Sequence, residues 1–159
     1  MKIKIIVLGK IKEKYLKDGI AEYEKRLSRF CDFSILEFAD EKIPERASET
    51  ERQAILVKEG ERVLKAISPS DFVIALCIEG KALSSEELAE TIEKTMLSGC
   101  NSIAFVIGGS LGLSDEVKAR ADFKLSFSKM TFPHQLMRLC LAEQIYRAFK
   151  INNNETYHK

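Results

Sequence analysis

Residues 105–112 read Phe105-Val106-Ile107-Gly108-Gly109-Ser110-Leu111-Gly112. The apolar run Ser102–Ile107 passes directly into three glycines within five residues. Glycine lacks a Cβ and tolerates positive φ, so this turn lets backbone approach a flat ligand closely. The run before it does not alternate with polar residues, as expected of a strand covered on both sheet faces. Four further mostly apolar runs read as strands: Ile3–Leu8, Phe33–Phe38, Phe72–Ile78 and Phe123–Phe127. Helical segments separate them. Leu16, Ile20, Tyr23, Leu27 and Phe30 fall at helical spacing and predict a helix over Tyr15–Phe30. A long amphipathic helix is expected from just after Pro44, which suits a first turn, to Ile67. Ser84 and Glu87 have capping-box spacing, and Gly99 marks the end of the helix they open. Ser114 caps a short helix, and Pro133 opens a last one running to about Lys150.

Strand and helix alternate throughout, which predicts an α/β fold with a mostly parallel sheet flanked by helices. Ligands of such sheets sit beyond the carboxyl ends of the strands. In the second half those ends carry the loop after Ile78, the Gly108–Gly112 turn and the Ser128–Thr131 bend.

A chain of 159 residues makes one domain. No apolar run approaches the length of a membrane span. The N-terminal run alternates with lysine and reads as a first strand rather than a signal peptide, so a cytoplasmic location is expected. The four cysteines, Cys31, Cys77, Cys100 and Cys140, form no C-x-x-C pair, and there are two histidines. Reduced, mostly buried thiols and no metal site are expected. The net charge of +1 conceals a pattern. Residues 1–30 carry nine Lys/Arg against four Asp/Glu, residues 31–100 eight against fifteen, and residues 101–159 eight against five. Either these are solvated helix faces, or the two basic ends converge on a polyanion.

The glycine turn does not follow the first strand and lacks G-x-G-x-x-G order, against a dinucleotide fingerprint. No Gly-Lys-Ser/Thr follows, against a phosphate loop. Gly108-x-Ser110-x-Gly112 does match the hydrolase nucleophile elbow, yet the helix starts late, at Ser114. Three classes stay open on the residues alone: a serine hydrolase using Ser110, a non-catalytic RNA-binding module, and a site for a flat ligand. His134 reads as hydrogen-bonded to local backbone. Met137, Leu141, Ile145 and Ala148, with Leu136, Cys140 and Phe149 beside them, make a wide apolar face for core or a subunit interface. Arg138 and Arg147 on that helix each call for an anion or a carboxylate. Tyr157, His158 and Lys159 close the chain with groups able to bind or exchange protons.

Four stretches carry a resemblance to a known family: IKIIVLGKIKEKYLKDGIAEYEKRL (3–27), FVIGGSLGLSDEV (105–117), LSFSKMTFPHQLMRLCLAEQIYRAFKI (125–151) and the terminal YHK. The whole chain resembles the ribosomal large-subunit pseudouridine N3-methyltransferase family, a minimal branch of the SPOUT class of S-adenosyl-L-methionine-dependent RNA methyltransferases. The resemblance implies a single SPOUT domain over 1–159, with a C-terminal trefoil knot in its cofactor-binding part, about 72–159. It also implies a homodimer and methyl transfer to N3 of a pseudouridine in 23S rRNA of the assembled ribosome. Leu76, Gly108 and Phe127, Ser128, Lys129, Met130, Thr131 and Phe132 match the family's cofactor-binding positions. On the same resemblance His158 is the first candidate for proton acceptance, Tyr157 for stacking or hydrogen bonding to the base, and Arg147 for holding phosphate or a uracil oxygen. Docking of RNA without chemistry is the other role open to these three.

Overall fold

The computed structural model describes residues 1–158, and Lys159 lies outside them. Ten elements follow in order: β1 (Lys2–Leu8), α1 (Lys14–Leu27), β2 (Asp32–Phe38), α2 (Glu49–Ala66), β3 (Phe72–Ala82), α3 (Ser85–Leu97), β4 (Ser102–Ile107), α4 (Asp115–Arg120), β5 (Phe123–Ser126) and α5 (His134–Asn152). The five strands form one sheet in the order β2-β1-β4-β3-β5, with every pairing parallel. All the strand carboxyl ends therefore lie along one edge.

The unbroken apolar runs have the expected cause. On one face Ile3, Ile5 and Val7 of β1, with Ile103, Phe105 and Ile107 of β4, pack against Leu27 of α1, Ile92 of α3 and Leu141, Ile145 and Phe149 of α5. On the other, Ile6, Leu8, Val73, Ala75, Ala104 and Val106 meet Val63 of α2 and Val117 of α4. Burying each large aliphatic side chain contributes roughly 1.5–3 kcal/mol, so the two-sided core dominates stability.

Three boundaries differ from the sequence expectation by three residues or more. Pro44 does not start α2, because Ser48 and Glu51 form a reciprocal capping box there and satisfy two otherwise unpaired amides. Helix α1 stops at Leu27 rather than Phe30, since β2 begins at Asp32, paired to Met1 through its amide. Strand β3 runs on to Ala82 rather than ending at Ile78. It leaves the β5 ladder after Leu76 and rejoins it with Lys81 opposite Leu125. Gly80 is required at that bulge. A Cβ on it would lie 2.7 Å from the Leu125 carbonyl carbon and 2.8 Å from the Lys124 carbonyl, both backbone.

The apolar stripe of α5 is largely spent within the chain. Leu141, Ile145, Ala148 and Phe149 are buried, while Leu136, Met137 and Cys140 are half-buried. Arg138 is fully buried on the same helix. It donates to the carbonyls of Leu8 and Gly9, the latter at 2.8 Å, and faces Glu37 at 3.2 Å, so its predicted carboxylate exists. Burial pulls its pKa downward, opposed by Glu37 and Asp40. The cysteines are free but only half-buried, less enclosed than expected. Burial pushes the Cys31 thiol up to about 12.

Candidate functional site

The carboxyl edge of the sheet opens into a cleft of about 710 Å³. Its walls are the loops selected from sequence. The bulge of β3 contributes Leu76, Cys77, Ile78 and Glu79, and the turn after β4 contributes Gly108 to Leu113. The segment after β5 contributes Phe127, Ser128, Met130, Thr131 and Phe132. Seven of the eight expected cofactor positions thus line one cavity; Lys129 is exposed on the rim and is not part of the lining. His134 also lines it, beside Gly9.

The glycine turn has the close backbone approach expected of it. A Cβ on Gly108 would sit 2.4 Å from the carbonyl oxygen of Gly112, so no side chain fits. The Gly112 amide closes the turn on the Gly109 carbonyl at 3.0 Å, and Gly112 has φ +83°. The opposite bend is held by Ser128, whose hydroxyl accepts the Met130 amide at 3.0 Å, while the Ser126 hydroxyl donates to the Ser128 carbonyl at 3.2 Å. Ile78, Met130 and Phe132 on this cleft are exposed, a concave apolar surface of the kind that takes a flat ring. Glu79 and Lys118 pair across the lining at 2.5 Å. That bond holds the Glu79 carboxyl low and the Lys118 ammonium high.

The three tail and helix residues gather elsewhere. Arg147 donates to Glu143 through Nε at 3.0 Å and Nη2 at 2.5 Å, and its guanidinium lies 4.7 Å from the centre of the Tyr157 ring. The Tyr157 hydroxyl donates to the same Glu143 oxygen at 3.1 Å. Burial first, then Tyr23 and Glu143, push its pKa up, so it remains a phenol at neutral pH. His158 places Nδ1 3.2 Å from Arg147 and Nε2 2.7 Å from Glu86. A guanidinium only donates, so Nδ1 must be the acceptor and Nε2 carries the proton toward Glu86. The chain of bonds continues from Glu143 to Gln144 at 2.8 Å and from Gln144 to Ser85 at 2.7 Å. Ser85 adjoins Glu86, so the ring closes on the start of α3.

This ring borders a second cavity, of about 510 Å³, lined by Tyr23, Ser85, Cys140, Glu143 and Gln144 among others. The two cavities share Leu125, Ser126 and Phe127. Arg147, Tyr157 and His158 are not among the residues lining the larger cleft. One chain thus brings the expected cofactor positions together and the expected catalytic positions together, at separate places.

Sequence reasoning missed Glu143, Glu86, Glu79 and Lys118. Only Glu143 carried a readable signal, its spacing of four from Arg147 on one helix. Among the described residues no cluster of His, Cys, Asp and Glu is arranged to hold a metal ion, and no helix is long and apolar enough to cross a membrane.

Comparison with known proteins bears on this arrangement. A solved structure from Haemophilus influenzae Rd KW20, described as a probable methylase family protein, matches 99% of this chain and 70% of its own with a TM-score of 0.54. At 15% identity that likeness speaks for the fold alone. A protein of Clostridioides difficile strain 630 named ribosomal RNA large subunit methyltransferase H is 60% identical over the full length of both chains. One of the same name from Streptococcus pneumoniae strain CGSP14 is 57% identical, again over both full lengths. The family described as "Predicted SPOUT methyltransferase" matches residues 1–158. The chain belongs to the SPOUT methyltransferase family.

Proposed function

We propose that this protein transfers a methyl group from S-adenosyl-L-methionine to N3 of a pseudouridine in 23S rRNA of the large ribosomal subunit, in the cytoplasm and on assembled ribosomes. The observation that carries the reading is the cleft at the carboxyl ends of β3, β4 and β5, which unites Leu76, Gly108, Phe127, Ser128 and Met130–Phe132. The cleft fits the donor: apolar walls suit an adenine ring, and the Gly108 turn lets backbone groups reach its edge. When bound, the donor supplies a methyl carbon on a positively charged sulfur that leaves as a neutral thioether. The trefoil knot belongs to the same proposal, and membership of the SPOUT family supports it.

The chain's own task is to align the acceptor and handle one proton. His158 is satisfied on both ring nitrogens, by Arg147 and by Glu86. It accepts a proton only when Arg147 lets go of Nδ1. We infer that Arg147 turns toward a uracil oxygen when the base arrives. That movement frees the Nδ1 lone pair, and N3 gives its proton there while its electron pair forms the new bond to carbon. Glu143 keeps Arg147 and Tyr157 aligned beforehand. Because the ring lies apart from the donor cleft of its own chain, the protein acts as a homodimer in which each tail serves the partner's cleft.

The test is transfer of tritiated methyl from S-adenosyl-L-methionine to ribosomes lacking the modification, followed by nucleoside mass spectrometry. N3-methylpseudouridine from 23S rRNA is expected. Label in another nucleoside, or none, overturns the reading.

A further inference from the structure

The turn after β1 and the first residues of α1 read Lys10-Ile11-Lys12-Glu13-Lys14-Tyr15-Leu16-Lys17, and all four lysines of this segment, called the Lys10–Lys17 turn below, are exposed. Such a charge run is commonly just a solvated face. Here its placement argues otherwise. The turn lies on the same sheet edge as the cleft and is fastened to the start of α5. The Lys12 amide donates to Gln135 at 3.2 Å. Ile11, Leu16 and Ile20 are buried against Leu136 and Leu139. Arg138 grips the Gly9 carbonyl, and His134, which lines the cleft, packs at Gly9. The lysines are thereby held beside the mouth of the cleft rather than on a loose loop.

Two further observations separate this patch from the rest of the surface. Tyr15 stands between the lysines with 69% of its surface exposed, an aromatic ring left in water. Also, most cations of the C-terminal third are already engaged: Arg138 is buried, Arg147 is paired with Glu143, and Lys150 with Glu155. The expected convergence of two basic ends thus reduces to this segment, with exposed Lys124 and Lys129 the remaining C-terminal cations outside ion pairs among the described residues. Among the described residues the turn's only ion pair is Lys14 with Asp18 at 2.5 Å. Glu13 lies within the segment, Asp18 follows it, and Asp40 packs at Gly9.

We propose that the Lys10–Lys17 turn is the docking surface for the RNA strand carrying the acceptor base. Lys10, Lys12 and Lys17 neutralise backbone phosphates, and Tyr15 stacks on an unpaired base next to the target. Lysines interleaved with an exposed aromatic are the arrangement that binds single-stranded RNA without reading its sequence. An acidic protein surface offers the same charge but no flat face for Tyr15. The inference rests on the methyltransferase reading above.

The experiment measures kcat/KM for ribosome methylation against salt concentration. It compares the wild-type protein with the triple variant Lys10→Gln, Lys12→Gln, Lys17→Gln and with the corresponding triple lysine-to-arginine variant. Each lost phosphate contact lowers the slope of log kcat/KM against log salt by about 0.7–0.9. The glutamine variant should therefore lose about 2 units of slope, and the arginine variant should keep it. Donor affinity by calorimetry should stay within about twofold, since these side chains lie outside the cleft lining. Tyr15→Ala should lower kcat/KM roughly tenfold or more with no change in slope. An unchanged slope in the glutamine variant overturns the proposal. So does a photo-crosslink from a benzophenone at Lys12→Cys that lands on ribosomal protein rather than rRNA. A wild-type protein that neither binds the donor nor methylates ribosomes instead removes the methyltransferase reading, and this inference with it.

Discussion

Replacing Gly108 with alanine isolates the geometry on which the donor site depends. The new methyl would stand 2.4 Å from the Gly112 oxygen, 2.5 Å from its carbonyl carbon and 3.0 Å from its Cα. All three are backbone atoms, so no side chain can swing aside, and contacts this short force the turn open. Overpacking of this kind costs about 1–3 kcal/mol. The free turn relieves this strain by opening, and binding must close it again, so the cost reappears in the affinity. It corresponds to roughly a five- to 150-fold weaker affinity for S-adenosylhomocysteine, measured by calorimetry. Gly99→Ala is the control. Unlike Gly108 it has positive φ, +89°, but nothing lies within 4 Å of its Cβ position, and it sits past the end of α3. That variant should lose about 1–2 kcal/mol of stability with donor affinity unchanged. A Gly108→Ala protein that binds the product as tightly as wild type would refute the close-approach reasoning.

Four other outcomes follow from the structure. His158→Ala should lower the single-turnover methylation rate far more than donor affinity, and an unaltered rate removes its role in proton handling. Arg138→Ala empties a fully buried site and leaves the Leu8 and Gly9 carbonyls without their donor, while exposed Glu37 returns to water, so denaturant unfolding should show a loss of about 2–5 kcal/mol; a loss under about 1 kcal/mol contradicts it. Glu59 is buried, and desolvation raises its folded-state pKa above the unfolded value. A raised carboxyl pKa means that the folded state holds the proton longer, so stability falls as pH climbs through the unfolded pKa. Glu59→Gln should therefore raise the melting midpoint at pH 7, with the gain shrinking toward pH 4; a gain independent of pH is inconsistent with this. Finally, light scattering should give twice the chain mass, and a fully active monomer is incompatible with the shared tail.

Much of the fold was legible because burial on two sheet faces leaves an unmistakable trace. Ser102–Ile107 was read to the residue, as an apolar run bounded by turn formers must be. The extension of β3 was not legible. Glu79-Gly80-Lys81 has turn chemistry locally, and only the renewed pairing with β5, a contact with residues more than forty positions away, keeps it in the sheet. Pro44 misled for a related reason: proline marks a permissible helix start, whereas the Ser48 box marks the one whose amides are satisfied. At the site, the backbone-rich cleft could be located because strand ends fix where ligands go. The hydrogen-bond ring could not, since Glu86 and Ser85 lie more than fifty residues from their partners Gln144 and His158. The separation of tail and cleft is likewise a property of three dimensions, invisible in spacing.

The most direct test is a crystal structure of the protein grown with S-adenosylhomocysteine. The thioether nucleoside should occupy the cleft with its adenine against Leu76 and the Phe127–Phe132 bend and its edge on the Gly108 turn. Density in the smaller cavity beside Glu143, or at any other place, would contradict the account.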